Sequence, residues 1–174
     1  MLLFKKSTLE DIDTMMEIVD AGKALLRSQG IDQWQKGYPN RELLVQDVQD
    51  GIGYVVEEDG RVVAMCAVTF TDEASYHTLR DGTWLTPDDS VYATIHRGAV
   101  ARDCQGRGLP AFLFSSVADM ARARNVKSVR ADTHMENLAM QKALAKSGFI
   151  RCGIITLLGG SEDGDLRVGY ELMV

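Results

Sequence analysis

The sequence predicts an α/β (α+β) fold, a central mixed β-sheet of about seven strands with helices on both faces. Three features predict it. A strand at 91–101, a helix at 108–124 and a strand at 128–132 follow one another as a βαβ crossover, which joins parallel strands. Asp59-Gly60 lies between two apolar runs and is a strong two-residue hairpin turn, which joins antiparallel strands. The remaining segments run strand, two helices, three strands, helix, strand, helix, two strands. No linker, repeat or low-complexity tract interrupts them, so 1–174 reads as a single domain.

Residues 2–5 make a short first strand. Ser7 and Thr8 precede an amphipathic helix on which Ile12, Met15, Met16, Val19 and Leu26 keep mostly helical spacing, and Gly30 ends it. Asn40 is a good N-cap for a helix at about 40–49, carrying Leu43, Leu44, Asp47 and Val48. The runs 54–58 and 61–68 flank the hairpin turn. Residues 71–90 have no clear period, and an irregular segment of that length is often functional. Leu109, Phe112, Leu113, Ser116, Val117 and Met120 mark the next helix. The strand 128–132 and a helix from 136 to 147, stopped by Gly148, come next. Strands 150–158 and 166–173 close the chain around a turn-rich segment.

The 174 residues suit one domain at roughly 150 residues each, with enough chain for a core without staples. The net charge is −6, so a general nucleic-acid binder is not expected, because phosphate backbones need a cationic face. The apolar start at residues 1–4 is too short for a signal peptide, and no run approaches the roughly 18 apolar residues of a membrane helix. Cys66, Cys104 and Cys152 are odd in number and widely spaced, and His77, His96 and His134 are scattered. Neither a disulfide framework nor a metal site is expected, and a reducing cytoplasm is the simplest home. The acidic residues at 162–165 lack the ligand spacing of a calcium loop.

The most informative stretch is 100–110. A strand feeds a turn containing Gly106 and Gly108, and a helix opens directly after it. Small residues let the main chain approach a ligand, and the first helical turn offers unpaired N–H groups with a partial positive charge. Together these make a pyrophosphate cradle, with Arg97, Arg102 and Arg107 set against Asp103 as a local cationic patch. A plain strand-to-helix turn would also use glycine. Gly106-x-Gly108-x-x-Ala111 can be read as a nicotinamide dinucleotide fingerprint as well. Against that, four residues separate Ala101 from Gly106, and too little chain follows Asp132 for the remaining βαβ units.

Gln105-Gly106-Arg107-Gly108-Leu109-Pro110 resembles the acetyl-CoA loop Q/R-x-x-G-x-G/A of the Gcn5-related N-acetyltransferase (GNAT) superfamily. The segment from Asn137 through Met140 and Leu144 to Lys146-Ser147-Gly148-Phe149 is similar to that family's downstream signature, and the element order matches along nearly the whole chain. The resemblance implies transfer of the acetyl group of acetyl-CoA to a primary amine of a small molecule, protein or peptide. It implies cofactor contacts from Ala99, Val100, Gln105, Gly106, Arg107, Gly108, Leu109 and Asn137. The oxyanion donor of the family maps to the backbone of Ala99 or Val100, with Val100 favoured. Relatives are often dimers, so a homodimer is admitted. Two departures stand out. Pro110 occupies the last loop position and has no N–H, with Arg107 available to compensate. Leu144 occupies the position of the family's general-acid tyrosine and cannot donate a proton. These departures keep open a non-catalytic CoA-binding or interaction module.

Amine acetylation needs a base to free the amine lone pair, a donor for the oxyanion and a proton for the departing thiolate. His96, on the strand bordering the acetyl group, is the candidate base, with His134 a second histidine near the cleft. Tyr170 on the last strand is the candidate acid. Trp34 and Tyr38, between the first two helices, suit a small-molecule rim or a packed loop anchor. Tyr76, His77 and Trp84 in 71–90 suit an opposite wall or a dimer contact.

Overall fold

Asp59 and Gly60 both take positive φ, 50° and 84°, which is what a tight hairpin turn between right-twisted strands requires. In this computed structural model, which describes all residues Met1–Val174, they join β2 (Gly53–Glu58) to β3 (Arg61–Thr69). β1 (Leu2–Lys6) pairs antiparallel with β2, and β2 with β3, in registers centred on Phe4↔Val56 and Val55↔Met65. With β4 (Ala93–Val100), β5 (Ser128–Thr133), β6 (Ile150–Thr156) and β7 (Leu166–Met173), these strands form a seven-stranded sheet of order β1-β2-β3-β4-β5-β7-β6. The expected strand count and mixed sense are as read from sequence.

Packing divides the chain into two compact units, residues 1–69 with 95–116, and 70–94 with 117–174. In the first unit, α1 (Ile12–Ser28) buries Ile12, Met15, Ile18 and Val19, one face of a 3.6-residue period. Met16 and Leu26, expected inward, are half-buried at the edge of that stripe. A Thr8–Asp11 capping box precedes the helix. Gly30 (φ 70°) closes it with Ile31 N–H bonded back to the Leu26 carbonyl, a Schellman stop. Asn40 caps α2 (Arg41–Gln49) by accepting from Leu43 N–H at 2.9 Å, and Leu44 and Asp47 form the buried side of that helix. β3 is buried on seven consecutive residues, the pattern of a strand covered on both faces.

In the second unit, Ala93↔Val129 and Thr94↔Arg130 form the expected parallel ladder of β4 with β5, and it stops there. The start of β4 is Ala93 rather than residue 91. β5 pairs antiparallel with β7, and β7 with β6. α4 (Leu138–Lys146) starts two residues later than the expected 136, because Asn137 is its N-cap. The segment 71–90 is ordered by long-range packing. A Cβ on Gly82 would lie 1.8 Å from the Cys152 carbonyl oxygen, so the backbone there sits directly on β6. Trp84 lies over Gly169 and donates to the Tyr76 carbonyl. Tyr76 packs with Tyr92 and Ile155 and donates to Asp132 at 2.8 Å, so it is a core residue, and with Trp84 it lines a cavity beside residues 79–88. His77 is exposed beside Asp72 at 2.7 Å.

Beneath this segment lies a buried ion pair. Arg130 on β5 bonds Glu171 on β7 at 3.1 Å, and its guanidinium is sandwiched between the Trp84 and Tyr92 rings at 4.2 and 4.0 Å. The same carboxylate accepts from Leu85 N–H, Thr86 N–H and the Thr86 hydroxyl. Burial alone would push the Glu171 carboxyl up. The Thr86 and Arg130 hydrogen bonds outweigh it and hold it below the usual glutamate range.

Candidate functional site

α3 (Leu109–Ala123) begins directly after a loop whose residues 105–108 are exposed and whose anchors are not. Ala101, Cys104 and Leu109 are buried, and Ala101 N–H bonds the Val63 carbonyl at 2.9 Å. A short 3-10 turn at Arg102–Cys104 and a Gln105 bond to the Val100 carbonyl (3.1 Å) complete the hold. The loop is therefore fixed at its feet and open at its crest. Cys104 is one of those feet, and its thiol is not displayed as a nucleophile.

Gly106 and Gly108 take φ of 75° and 77°, a region that L-residues with side chains adopt at a cost. A Cβ on either would meet no protein atom within 4 Å, so the space above both main chains is clear. Phe112 N–H makes the first helical bond, to the Gly108 carbonyl, at 3.2 Å. The N–H groups of Leu109 and Ala111 precede that bond, and Pro110 between them contributes none. The crest thus fits a diphosphate as a set of main-chain donors at a helix N-terminus, one fewer than the resemblance would give.

The basic patch differs from the sequence expectation. Arg107 is held by Glu58 at 2.7 Å and points a second nitrogen at the Cys104 sulfur, so its compensation for Pro110 requires release from that pair. Asp103 binds Arg61 through two bonds of 2.7 and 2.8 Å, which hold its carboxyl down at about 2, so Asp103 does not oppose the loop cations. Arg102 is exposed on the 3-10 turn. Arg97 is not at the loop. Its guanidinium is buried against Asp47 of α2, with Nε–Oδ2 2.9 Å and Nη2–Oδ1 2.8 Å, and Nη1 donates to the Tyr38 hydroxyl at 3.0 Å.

β4 carries Arg97 in left-handed backbone (φ 55°) immediately before Gly98, Ala99 and Val100. A left-handed residue within a strand bends its edge and re-aims the amides that follow. His96, just ahead of it, places Nε2 3.3 Å from the Thr69 hydroxyl of β3. Tyr38 ends the segment between α1 and α2. Trp34 in that segment is 9% exposed with its ring 3.3 Å from where a Gly22 Cβ would stand, so it serves as the packed anchor among the two roles expected of it.

In the second unit, Asn137 Oδ1 accepts from Met140 N–H at 3.2 Å and caps α4. His134 Nδ1 accepts from Glu136 N–H at 3.0 Å, a local helix-start role. Tyr170 is buried, and its hydroxyl donates to Gln141 Oε1 at 3.1 Å. Gln141 in turn donates to the carbonyls of His134 and Met135. Burial pushes the Tyr170 phenol up, which keeps its proton in place at neutral pH and suits an acid rather than a base. Leu144 is buried in the core.

Sequence reasoning missed two residues of this region. Asp47 stands one helical turn from Leu44, and an acid on a buried stripe signals a hidden cationic partner. Arg97 was legible as a charge but not as that partner, because its backbone sign cannot be read from its residue type. Gln141, which organises Tyr170, carried no signal.

No cluster of three or more His, Cys, Asp or Glu could hold a metal ion, and no helix is long and apolar enough to cross a membrane. The family model of the GNAT acetyltransferases matches residues 20–149. A GNAT-family acetyltransferase from Streptococcus agalactiae is 31% identical, with a TM-score of 0.89 over 99% of this chain and 95% of that one. The ribosomal-protein-S18-alanine N-acetyltransferase of Escherichia coli is 14% identical, with a TM-score of 0.64 over 100% and 94%. A structure from Salmonella typhimurium, described as a putative acetyltransferase with its cofactor acetyl-CoA, is 16% identical, with a TM-score of 0.66 over 99% and 93%. No curated protein matches the sequence.

Proposed function

Since the chain belongs to the GNAT acetyltransferase family, we propose that it transfers the acetyl group of acetyl-CoA directly to a primary amine of a small molecule, protein or peptide. The observation that carries this reading is the open crest at Gly106 and Gly108, where a Cβ would meet no protein atom within 4 Å, directly before the start of α3. Gln105, Gly106, Arg107, Gly108 and Leu109 hold the diphosphate. The edge of β4 at Ala99 and Val100 pairs with the pantetheine amides as an added strand. Asn137 hydrogen-bonds the same arm or a water beside it. Tyr38 contributes to the acceptor rim, with Trp34 anchoring the segment beneath it.

In this proposal His96 takes the proton of the bound ammonium, directly or through a water, and frees the lone pair. As the C–N bond forms, the Val100 N–H stabilises the carbonyl oxygen, which then carries the negative charge. When the C–S bond breaks, Tyr170 supplies the proton that converts the departing thiolate to CoA thiol, and the second proton, lost by the amide nitrogen as the adduct collapses, returns to the phenol through water. With both substrates held together, positioning provides most of the acceleration.

Release of CoA thiol from acetyl-CoA across a panel of small amines and peptides tests the reading. Amine-dependent release is expected. His96→Ala is expected to lower kcat by about 100-fold with acetyl-CoA affinity retained. An unchanged kcat removes His96 as base. Tight acetyl-CoA binding with no turnover on any amine would identify a CoA-binding module, the reading that Leu144 and Pro110 favour.

A further inference from the structure

Three groups from separate parts of the first unit meet at one guanidinium. Arg97 belongs to β4, Asp47 to α2, and Tyr38 to the segment that joins α1 to α2. Each feature of the meeting is unfavourable alone. A left-handed non-glycine residue inside a strand is strained. Two nearly fully buried charges lose hydration, and the Asp47 carboxyl is pushed above its usual range by burial, which the ion pair only partly offsets. A glycine at 97 and an apolar pair in place of the charges would relieve all of this. What the charged arrangement supplies instead is geometry. The bidentate pair fixes the plane of the guanidinium, and the remaining nitrogen is then aimed at one hydroxyl.

That hydroxyl belongs to a segment that is also tied to α1. Lys23 Nζ donates to the Pro39 carbonyl at 2.5 Å, Gln35 donates to the Lys23 carbonyl at 2.9 Å, and Trp34 packs on Gly22. The Tyr38 bond links this segment to the strand that carries His96, Ala99 and Val100.

We propose that Arg97 is a positioning residue, fixed by Asp47, that sets Tyr38 and the acceptor-side segment 31–40 in register with the reacting edge of β4. The assignment rests on the reading of that segment as the amine side given above. It makes the Arg97–Tyr38 bond a determinant of amine recognition rather than of acetyl-CoA binding.

Tyr38→Phe removes a single hydroxyl and is the primary test, with Asp47→Asn as the second variant. For Tyr38→Phe, amine KM is expected to rise about tenfold with kcat and acetyl-CoA Kd within about twofold, as loss of one hydrogen bond to a charged group predicts. Amide hydrogen exchange is expected to quicken over 31–40 and not in β2 or β3. Asp47→Asn, which frees the guanidinium, is expected to show both effects more strongly. A folded variant pair with lowered melting temperature but unchanged amine KM would reduce Arg97 to a structural residue and overturn the proposal. If the native chain turns over no amine, the acetyltransfer reading fails separately. The exchange measurement then decides, and unchanged protection over 31–40 in both variants would overturn the positioning role.

Discussion

Arg130→Met is expected to lower folding stability by about 3–5 kcal/mol at pH 7, the range for removing one partner of a buried ion pair. For a chain of this length that is a fall in melting temperature of roughly 10 °C. The cause is the carboxylate left behind. Glu171 is fully buried, and without Arg130 it keeps uncharged donors, those of residues 85 and 86 among them, and no cation in contact. The aromatic sandwich of Trp84 and Tyr92 also loses its cation. The pH dependence has a definite sign. In the native chain the Glu171 carboxyl lies below its ordinary value near 4.5, so its contribution is complete above that pH and is lost as pH falls through the lowered value. Without Arg130, burial raises the carboxyl above its ordinary value, so the variant's deficit is largest at neutral pH and narrows as pH falls through that raised value toward the native one. Thermal unfolding of both proteins from pH 3 to 8 checks this, and a pH-independent difference would contradict it. The double variant Arg130→Met/Glu171→Leu is expected to recover much of the loss, because no buried charge remains.

Gly108→Val is expected to abolish most acetyl-CoA binding. The new side chain would occupy the clear space above the loop crest, where the diphosphate is proposed to lie. Each amide–phosphate hydrogen bond contributes about 1.5–3 kcal/mol, so losing one or two weakens binding by roughly 10- to 10,000-fold. The substitution also strains the backbone, since φ is 77° at this residue, by about 1–3 kcal/mol. Gly30→Val separates the two effects. It has φ of 70° and equally open surroundings, and it lies away from the loop in sequence. Calorimetric titration with acetyl-CoA should show near-native affinity for Gly30→Val and severe loss for Gly108→Val, at similar melting temperatures. Equal affinities would remove the loop from the cofactor site.

The element order was legible because each element carries its own period and punctuation. Asp59-Gly60, Asn40, Gly30 and Gly148 mark turns, caps and stops through local chemistry, and the structure uses them in those roles. The crest glycines were legible for the same reason. What escaped was decided across the chain. The segment 71–90 has no period because its order comes from Gly82 against Cys152, Trp84 against Gly169 and residues 85–86 against Glu171, contacts that span about 70 to 86 positions. Arg97 reads as a loop cation because charge is visible in a sequence, whereas its left-handed backbone and its partner Asp47, 50 residues away, are not. Arg107 does stand on the loop, while its pairing with Glu58 depends on β2 and leaves no local signal.

The placement of coenzyme A is decided by a crystal structure of the chain with acetyl-CoA bound. Diphosphate oxygens are expected within about 2.7–3.2 Å of the amide nitrogens of residues 106–109, with the thioester carbonyl at the Val100 N–H. A diphosphate bound elsewhere, with those amides left facing solvent, would contradict the role assigned to the loop and the acetyl-transfer reading built on it.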